Sequence, residues 1–322
     1  LSDFDGVSLY PSAMNRMEGF LKGRPKVIHE FQPEKYDGYF ICIKIKKINK
    51  RYKFPLASYK HDGVREFTND LEGRVLYLDK TSLEDLIKYQ QVEYEFINGY
   101  YYDDGFNTKI NEVIQHIFNQ RLKYKNEKNP IQMVFKECMN SSYGKSYMKP
   151  IGSDSKYIKI KDFDKFMDRN YNYIQEATLL ANEKYYKIKI IKPLDEHFNN
   201  VHVGVSILSM TKRIMNEVMC LSEDLDIKMY YTDTDSIHME ADKIDLLASE
   251  FQKIHKRELI GKQLGQFHTD FGMKDKDGKD RNKKGSEIVS VESYFLGKKC
   301  YIDKLESIDK DGYIVVQKEG SY

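Results

Sequence analysis

Two strand-like segments, Lys228 to Tyr231 and Ser236 to Glu240, are separated only by Thr232-Asp233-Thr234-Asp235. Alternating strands around so short a polar break read as a β-hairpin. Its tip carries two carboxylates two residues apart, Asp233 and Asp235. Like charges that close repel, and a hard divalent cation with oxygen ligands relieves the repulsion. Asp is also a common turn residue, so the same tetrapeptide on its own serves equally as an ordinary polar turn.

A second carboxylate stands in Asp5-Gly6-Val7-Ser8-Leu9-Tyr10-Pro11-Ser12. Residues 2–15 read as a strand, a turn and a helix, with Pro11 near the helix start. A turn there presents backbone N–H groups to an anion. The plain alternative is a surface Asp before a helix.

A third segment runs Lys136-Glu137-Cys138-Met139-Asn140-Ser141-Ser142-Tyr143-Gly144. Lys136, Asn140 and Tyr143 follow helical spacing and share one face. A cation, an amide and an aromatic ring on one face suit a triphosphate, a sugar and a base, though a solvated, capped face has the same pattern. Residues 109–127 form a helix with Ile110, Val113, Ile114, Ile117 and Phe118 on one stripe. Asn129-Pro130 breaks it, and a second helix from about Ile131 to Ser142 completes a helical hairpin. Residues 119–149 hold seven Lys/Arg (Arg121, Lys123, Lys125, Lys128, Lys136, Lys145, Lys149) against Glu127 and Glu137. Net charge is only +2, so this local excess matters more than the sum.

Elsewhere, residues 39–48 alternate as a half-buried strand, with Ile41, Ile43 and Ile45 on one side and Cys42, Lys44 and Lys46 on the other. Thr81 and Glu84 form a capping box for a helix through about Tyr89. Residues 150–200 are polar, with Tyr157 to Ile160 and Tyr185 to Ile191 as strands, and 203–222 are helical. Residues 272–286 are charge-dense and Gly-containing, and are expected to be a mobile loop. At 322 residues, 40% hydrophobic and 32% charged, the chain has the composition of a soluble globular protein of two or three modules. No run of about 18 apolar residues occurs, so no membrane span is expected. Cys42, Cys138, Cys220 and Cys300 are far apart and lack zinc spacing, which fits a reducing, intracellular compartment.

The three carboxylate- and cation-bearing segments, in this order, resemble motifs A, B and C of the family B DNA polymerases: DxxSLYPS, KxxxNSxYG and YxDTDS. Arg121 and Lys125 resemble the RxxxK pair of the first fingers helix, and Lys299-Cys300-Tyr301 resembles the KxY element that contacts the primer strand. The resemblance implies an α+β right-hand fold: an antiparallel palm sheet backed by helices, helical-hairpin fingers and two inserted subdomains.

Lys125 and Lys136 are close, so the fingers are short, yet about a hundred residues before them are not needed for fingers. That is similar to the protein-primed, organellar and viral type B branch. The layout implied is palm with motif A over 1–24, a terminal-protein-region-like insertion over 25–105 and fingers over 106–148. A second insertion at 149–199 would help encircle the template; palm resumes over 200–304, and an incomplete thumb starts at 305–322. Gly6-Val7 departs from the family pattern, which implies different packing beneath Asp5. No exonuclease motif is visible, and Leu1 opens in mid-pattern. The chain therefore reads as a trimmed polymerase or one part of a split one.

The resemblance assigns Asp5 and Asp235 as ligands shared by two Mg²⁺ ions, with Mn²⁺ able to substitute and Asp233 assisting. Ser8, Leu9, Tyr10, Arg121, Lys125, Lys136, Asn140 and Tyr143 would bind the dNTP, with Tyr10 excluding a 2′-OH. Gly144, Thr234, Lys299 and Tyr301 would meet DNA. The partners implied are primer–template DNA, dNTPs, a terminal protein primer and a separate exonuclease or thumb segment, in the host cell of a virus or plasmid. The competing readings are a catalytically silent DNA-binding or assembly fragment and an RNA-synthesising enzyme with similar metals.

Overall fold

The computed structural model describes residues 1–148, 152–191, 200–273, 287–308 and 314–321. The chain opens with β1 (Ser2–Gly6) and α1 (Leu9–Arg16), then β2 (Phe20–Leu21) and β3 (Lys26–Val27). Strands β4 (Gly38–Ile48), β5 (Ser58–His61), β6 (Val64–Phe67) and β7 (Val75–Asp79) lead into α2 (Lys80–Asp85). After β8 (Val92–Tyr102) and β9 (Phe106–Asn107) come α3 (Lys109–Asn126) and α4 (Gln132–Tyr147). Then follow β10 (Ser153–Lys159), α5 (Phe163–Asn170), β11 (Ile174–Leu179), β12 (Tyr185–Ile191) and α6 (Val201–Asp224). The last part is β13 (Met229–Asp233), β14 (Ser236–Met239), α7 (Ile244–His255), β15 (Phe267–Thr269), β16 (Glu287–Gly297), β17 (Cys300–Ile308) and β18 (Ile314–Ser321).

The chain divides into two units, residues 1–140 with 205–322 and residues 141–204. In the first, an antiparallel four-stranded sheet has the order β13-β14-β1-β15. Its register pairs Asp5 with Ser236 on one side and with His268 on the other. Side chains alternate along β1. Ser2 and Phe4 are buried, and Phe4 stacks on Phe267 with ring centroids 5.2 Å apart. Asp3 and Asp5 therefore take the opposite face.

A second sheet, β3-β8-β4-β7, has a core of its own that includes Ile41, Ile43, Ile45, Leu71, Leu83 and Leu86. Its outer face departs from strict alternation at Cys42, which is buried. The short thiol lies between its larger cross-strand neighbours Tyr77 and Asn98. The expected capping box at Thr81 is also corrected. Asp79 ends β7 and caps α2, accepting from the Ser82 N–H at 3.2 Å. The helix then continues as a π turn over Leu86–Gln90. On α3 the apolar stripe is narrower than expected: Ile114 and Phe118 are buried, but Val113 is exposed. The third sheet, β16-β17-β18, is antiparallel, and β17 runs straight across the expected boundary between 304 and 305.

In the second unit, β10-β12-β11 form an antiparallel sheet over buried Ile188 and Ile190, and Phe163 of α5 stacks on Tyr186 at 3.8 Å. Helix α5 and strand β11 are additional to the two strands expected there, although Phe163, Phe166 and Met167 give α5 an apolar stripe. Lys149 and most of the expected loop at 272–286 lie outside the described residues.

Candidate active site

Strand β1 ends at Gly6, whose N–H donates to the Asp235 carbonyl at 2.8 Å. That bond brings the end of β1 against the tip of the β13–β14 hairpin. A Cβ at Gly6 would stand 3.4 Å from both the Asp235 carbonyl and the Phe267 ring, an ordinary contact distance. The Val7 N–H donates to the Gln266 carbonyl at 2.9 Å, and Ser12 Oγ donates to the Val7 carbonyl at 2.6 Å. The turn is thus held on both sides. Ser8 takes left-handed φ and ψ of 48° and 65°. A non-glycine residue there is strained, so the surrounding bonds must hold it. Helix α1 begins at Leu9, leaving its first amides without intrahelical acceptors.

These elements border a cleft of about 800 Å³. Asp5 through Tyr10 and Asp235 form one part of its wall, Arg121 and Lys125 of α3 another, and Lys136 and Asn140 of α4 a third. Arg121 lies at helical spacing from the buried Ile114 and Phe118. Its Nη1 donates to Ser8 Oγ at 2.8 Å, and burial holds its guanidinium below the ordinary value. Its Nε is buried without a hydrogen-bond partner among the described residues. Ser8, Leu9, Tyr10, Arg121, Lys125, Lys136, Asn140, Asp5 and Asp235 are therefore brought together from segments far apart in sequence.

Burial, then the neighbouring Asp235 and Asp270, push the Asp5 carboxyl up to about 7. Burial and nearby Asp233 and Asp3 also raise Asp235, against a backbone hydrogen bond that lowers it. Burial raises the Tyr10 phenol, and the charge of Asp235 adds to that. Among the described residues no cationic partner holds these two carboxylates in the ordinary range, a condition that a bound cation would reverse.

Three further residues of the cleft wall, Lys262, His268 and Asp270, are absent from the sequence-derived set. His268 Nε2 lies 3.5 Å from Asp270 Oδ1, and this acid raises the imidazole above its ordinary value. No motif marks them; the pairing of β15 with β1 places His268, and the Asp270 N–H donates to the Asp3 carbonyl at 2.9 Å.

Asp233 behaves differently from Asp235. The sequence puts both at the hairpin tip, but Thr234 takes left-handed φ of 57° and breaks the strand between them. Asp233 Oδ2 receives Lys299 Nζ at 2.9 Å, and Thr234 Oγ1 donates to Oδ1 at 3.2 Å. Asp233 is not part of the cleft wall. Lys299 and Tyr301 meet the hairpin rather than the cleft: the Lys299 N–H donates to Tyr231 Oη at 2.7 Å, and the Tyr301 and Tyr231 rings are 5.4 Å apart. Tyr143 and Gly144 fall in the second unit. The Tyr143 ring stacks along the helix toward Tyr147 at 6.5 Å, and a Cβ on Gly144 would meet nothing within 4 Å.

Among the described residues no three His, Cys, Asp or Glu side chains form a metal-holding group. The donors present still fit Mg²⁺. That ion keeps several waters and is bound through one or two carboxylates plus substrate phosphates rather than by an all-protein cage. Asp5 and Asp235 supply two such carboxylates on one cleft wall.

The sequence and the fold have known relatives. A DNA polymerase of Acidianus bottle-shaped virus (isolate Italy/Pozzuoli) is 43% identical over 68 residues, 20% of this chain and 10% of that protein. Phi29 DNA polymerase complexed with primer–template DNA and incoming nucleotide substrates superposes with a TM-score of 0.63 at 17% identity, covering 99% of this chain and 49% of that one. Its binary complex with primer–template DNA gives 0.60 at 16% identity, with the same coverage of 99% and 49%. The chain thus spans about half the length of the phi29 enzyme. The family described as DNA polymerase type B, organellar and viral, matches residues 2–225, well over half of the sequence, and the chain belongs to that family.

Proposed function

We propose that this chain is the nucleotidyl-transfer core of a DNA-directed DNA polymerase that adds dNTPs to a primer 3′-OH during replication of a viral or plasmid genome. The observation that carries the reading is the single cleft in which Asp5 and Asp235 lie with Arg121, Lys125 and Lys136. Anionic and cationic groups in one cleft match a substrate that is a metal–triphosphate.

Asp5 and Asp235 would hold two Mg²⁺ ions, with Mn²⁺ able to replace them. When bound, Mg²⁺ supplies Lewis-acid polarisation of the primer hydroxyl and neutralises charge on the triphosphate. Arg121, Lys125 and Lys136 draw in the phosphates and stabilise the negative charge that builds on the leaving pyrophosphate. The N-terminal end of α1, on the same cleft wall, favours the same anion. Tyr10 places a ring beside the sugar and leaves no room for a 2′-OH. Asn140 and Tyr143 would border the nascent base pair, and Gly144, Thr234, Lys299 and Tyr301 would meet the DNA. Residues 25–105 and 149–199 would be the two insertions of the protein-primed branch, with a terminal protein as the primer and a separate exonuclease or thumb segment as further partners.

Primer extension with Mg²⁺ and dNTPs, run beside Asp235→Asn, tests the reading. Extension by the wild type and its loss by at least about 10³-fold in the variant is expected for removal of a main electrostatic contributor. Equal extension by both would refute the assignment, and DNA binding without extension by either would favour a catalytically silent module.

A further inference from the structure

His238 is 1% exposed, on the strand next to the one that carries Asp5. In the sheet register, His238 pairs with Tyr231 on one side and Asp3 on the other. Ser236, two residues earlier, pairs with Asp233 and Asp5. Residues two apart share a face, so the His238 row lies one step, roughly 7 Å, below the row that holds Asp5.

The other side of the imidazole meets β17. Its Nδ1 lies 3.6 Å from Asp3 Oδ1, and its Nε2 lies 3.5 Å from Asp303 Oδ2. Asp303 is 0% exposed and accepts from Ser290 Oγ at 2.9 Å and from Ser293 Oγ. Neither ring nitrogen, and neither facing carboxylate oxygen, has a hydrogen-bond partner among the described residues. Among the described residues these four buried polar atoms are one another's nearest unsatisfied polar neighbours, and leaving them apart is costly. The ring also packs edge-on to Tyr301 at 5.1 Å and Phe295 at 5.4 Å. Tyr301 stands two residues from Asp303 on the same strand face.

We propose that His238 is a positioning residue that ties β17, and with it Lys299 and Tyr301, to the sheet row that carries Asp5. It faces one strand with each ring nitrogen and packs its ring on Tyr301, so it sets the spacing between the residues expected to grip the primer end and the carboxylates expected to act on it. A side chain with one polar end spans half of that bridge, and a purely apolar ring spans none of it. The inference rests on the polymerase reading above.

The test compares the wild type with His238→Phe, His238→Gln and Asp303→Asn. Primer–template affinity is read by fluorescence anisotropy without nucleotide, and extension kinetics separate the dNTP KM from kcat. His238→Phe keeps the ring packing and is expected to weaken primer–template binding and lower kcat, each about tenfold, as small misplacements of reacting groups do. The dNTP KM should stay within about twofold, because the phosphate grip is on other elements. His238→Gln should recover part of both losses. Asp303→Asn should repeat the split, and it carries the test if His238→Phe does not fold. Wild-type affinity and kcat in a folded variant would overturn the inference, as would equal losses across affinity, kcat and KM that track a lower Tm. A wild-type chain that neither binds primer–template nor extends it would instead sink the polymerase reading itself.

Discussion

Lys299 reaches the hairpin and pairs with Asp233, Nζ to Oδ2 at 2.9 Å, while Asp235, two residues on, faces the cleft. The two aspartates of one tetrapeptide thus have different surroundings. Asp233→Asn should leave the melting temperature nearly unchanged, because exposed ion pairs contribute little. It should also leave measurable primer extension, reduced by roughly tenfold to a hundredfold through the freed Lys299. Melting curves and extension rates beside Asp235→Asn check this; equal loss in both variants would show that the aspartates act as one unit.

Asp5 yields a stability prediction with a definite sign. Burial and its acidic neighbours raise its carboxyl to about 7 in the folded protein. A raised folded value means the folded state holds its proton more tightly than the unfolded chain, whose Asp titrates near ~3.9. That contribution is full below the unfolded value and is lost as pH rises toward 7. Metal-free Asp5→Asn should therefore be more stable than wild type at pH above that value, by about 1–2 kcal/mol after allowance for solvent screening. The advantage should vanish in acid. Thermal melts in chelator across pH decide it, and a variant no more stable in base would remove the strain from Asp5.

Tyr10 borders the cleft beside Asp235. Tyr10→Val should admit ribonucleotides more readily, by roughly 10- to 100-fold in the ratio of kcat/KM for dNTP and NTP, the size of one steric contact. An unchanged ratio would take Tyr10 out of that role.

Glu217 is 4% exposed on α6 and takes Arg16 Nη1 at 2.7 Å and Arg257 Nη2 at 2.6 Å. Burial alone would raise its carboxyl, but the Arg16 bond and the charges of Arg16, Arg257 and His255 outweigh it and hold the group below the ordinary value. Its contribution is present above the unfolded Glu value, near ~4.3, and is lost as pH falls through the lower folded one. Glu217→Ala should cost about 3 kcal/mol by leaving two guanidinium groups unpaired. Glu217→Gln should flatten the acid limb of the stability curve. Denaturant melts between neutral pH and acid would show either effect, and an acid limb as steep as that of the wild type would count against this cluster.

Much of the candidate site is legible in the sequence because its residues sit in short runs with local geometry. Asp5 ends a strand, Lys136 and Asn140 follow helical spacing, and Asp235 sits at a hairpin tip; each is specified by near neighbours. Strand and helix periodicity likewise places β1, β4, α3, β12 and α6 close to their observed ranges. Periodicity fails where packing overrides it. Asp79, not Thr81, caps α2, because the end of β7 decides where the helix starts. Helix α5 does carry a helical stripe, Phe163, Phe166 and Met167, but it spans only eight residues inside a polar stretch.

What the amino-acid order determined by itself is the set of local devices: a carboxylate turn, a cationic helix face and a paired-aspartate hairpin. Only the tertiary structure decided which of them meet. Strand register aligns Asp5 with Ser236 and His268, and so brings His268 and Asp270 into the cleft without any motif. The left-handed Thr234 sends Asp233 to Lys299 and away from Asp235. The His238 bridge depends on β1, β14 and β17, which lie far apart in sequence. Hydrogen-bond register and burial are properties of such distant pairings, and no short window of sequence contains both partners.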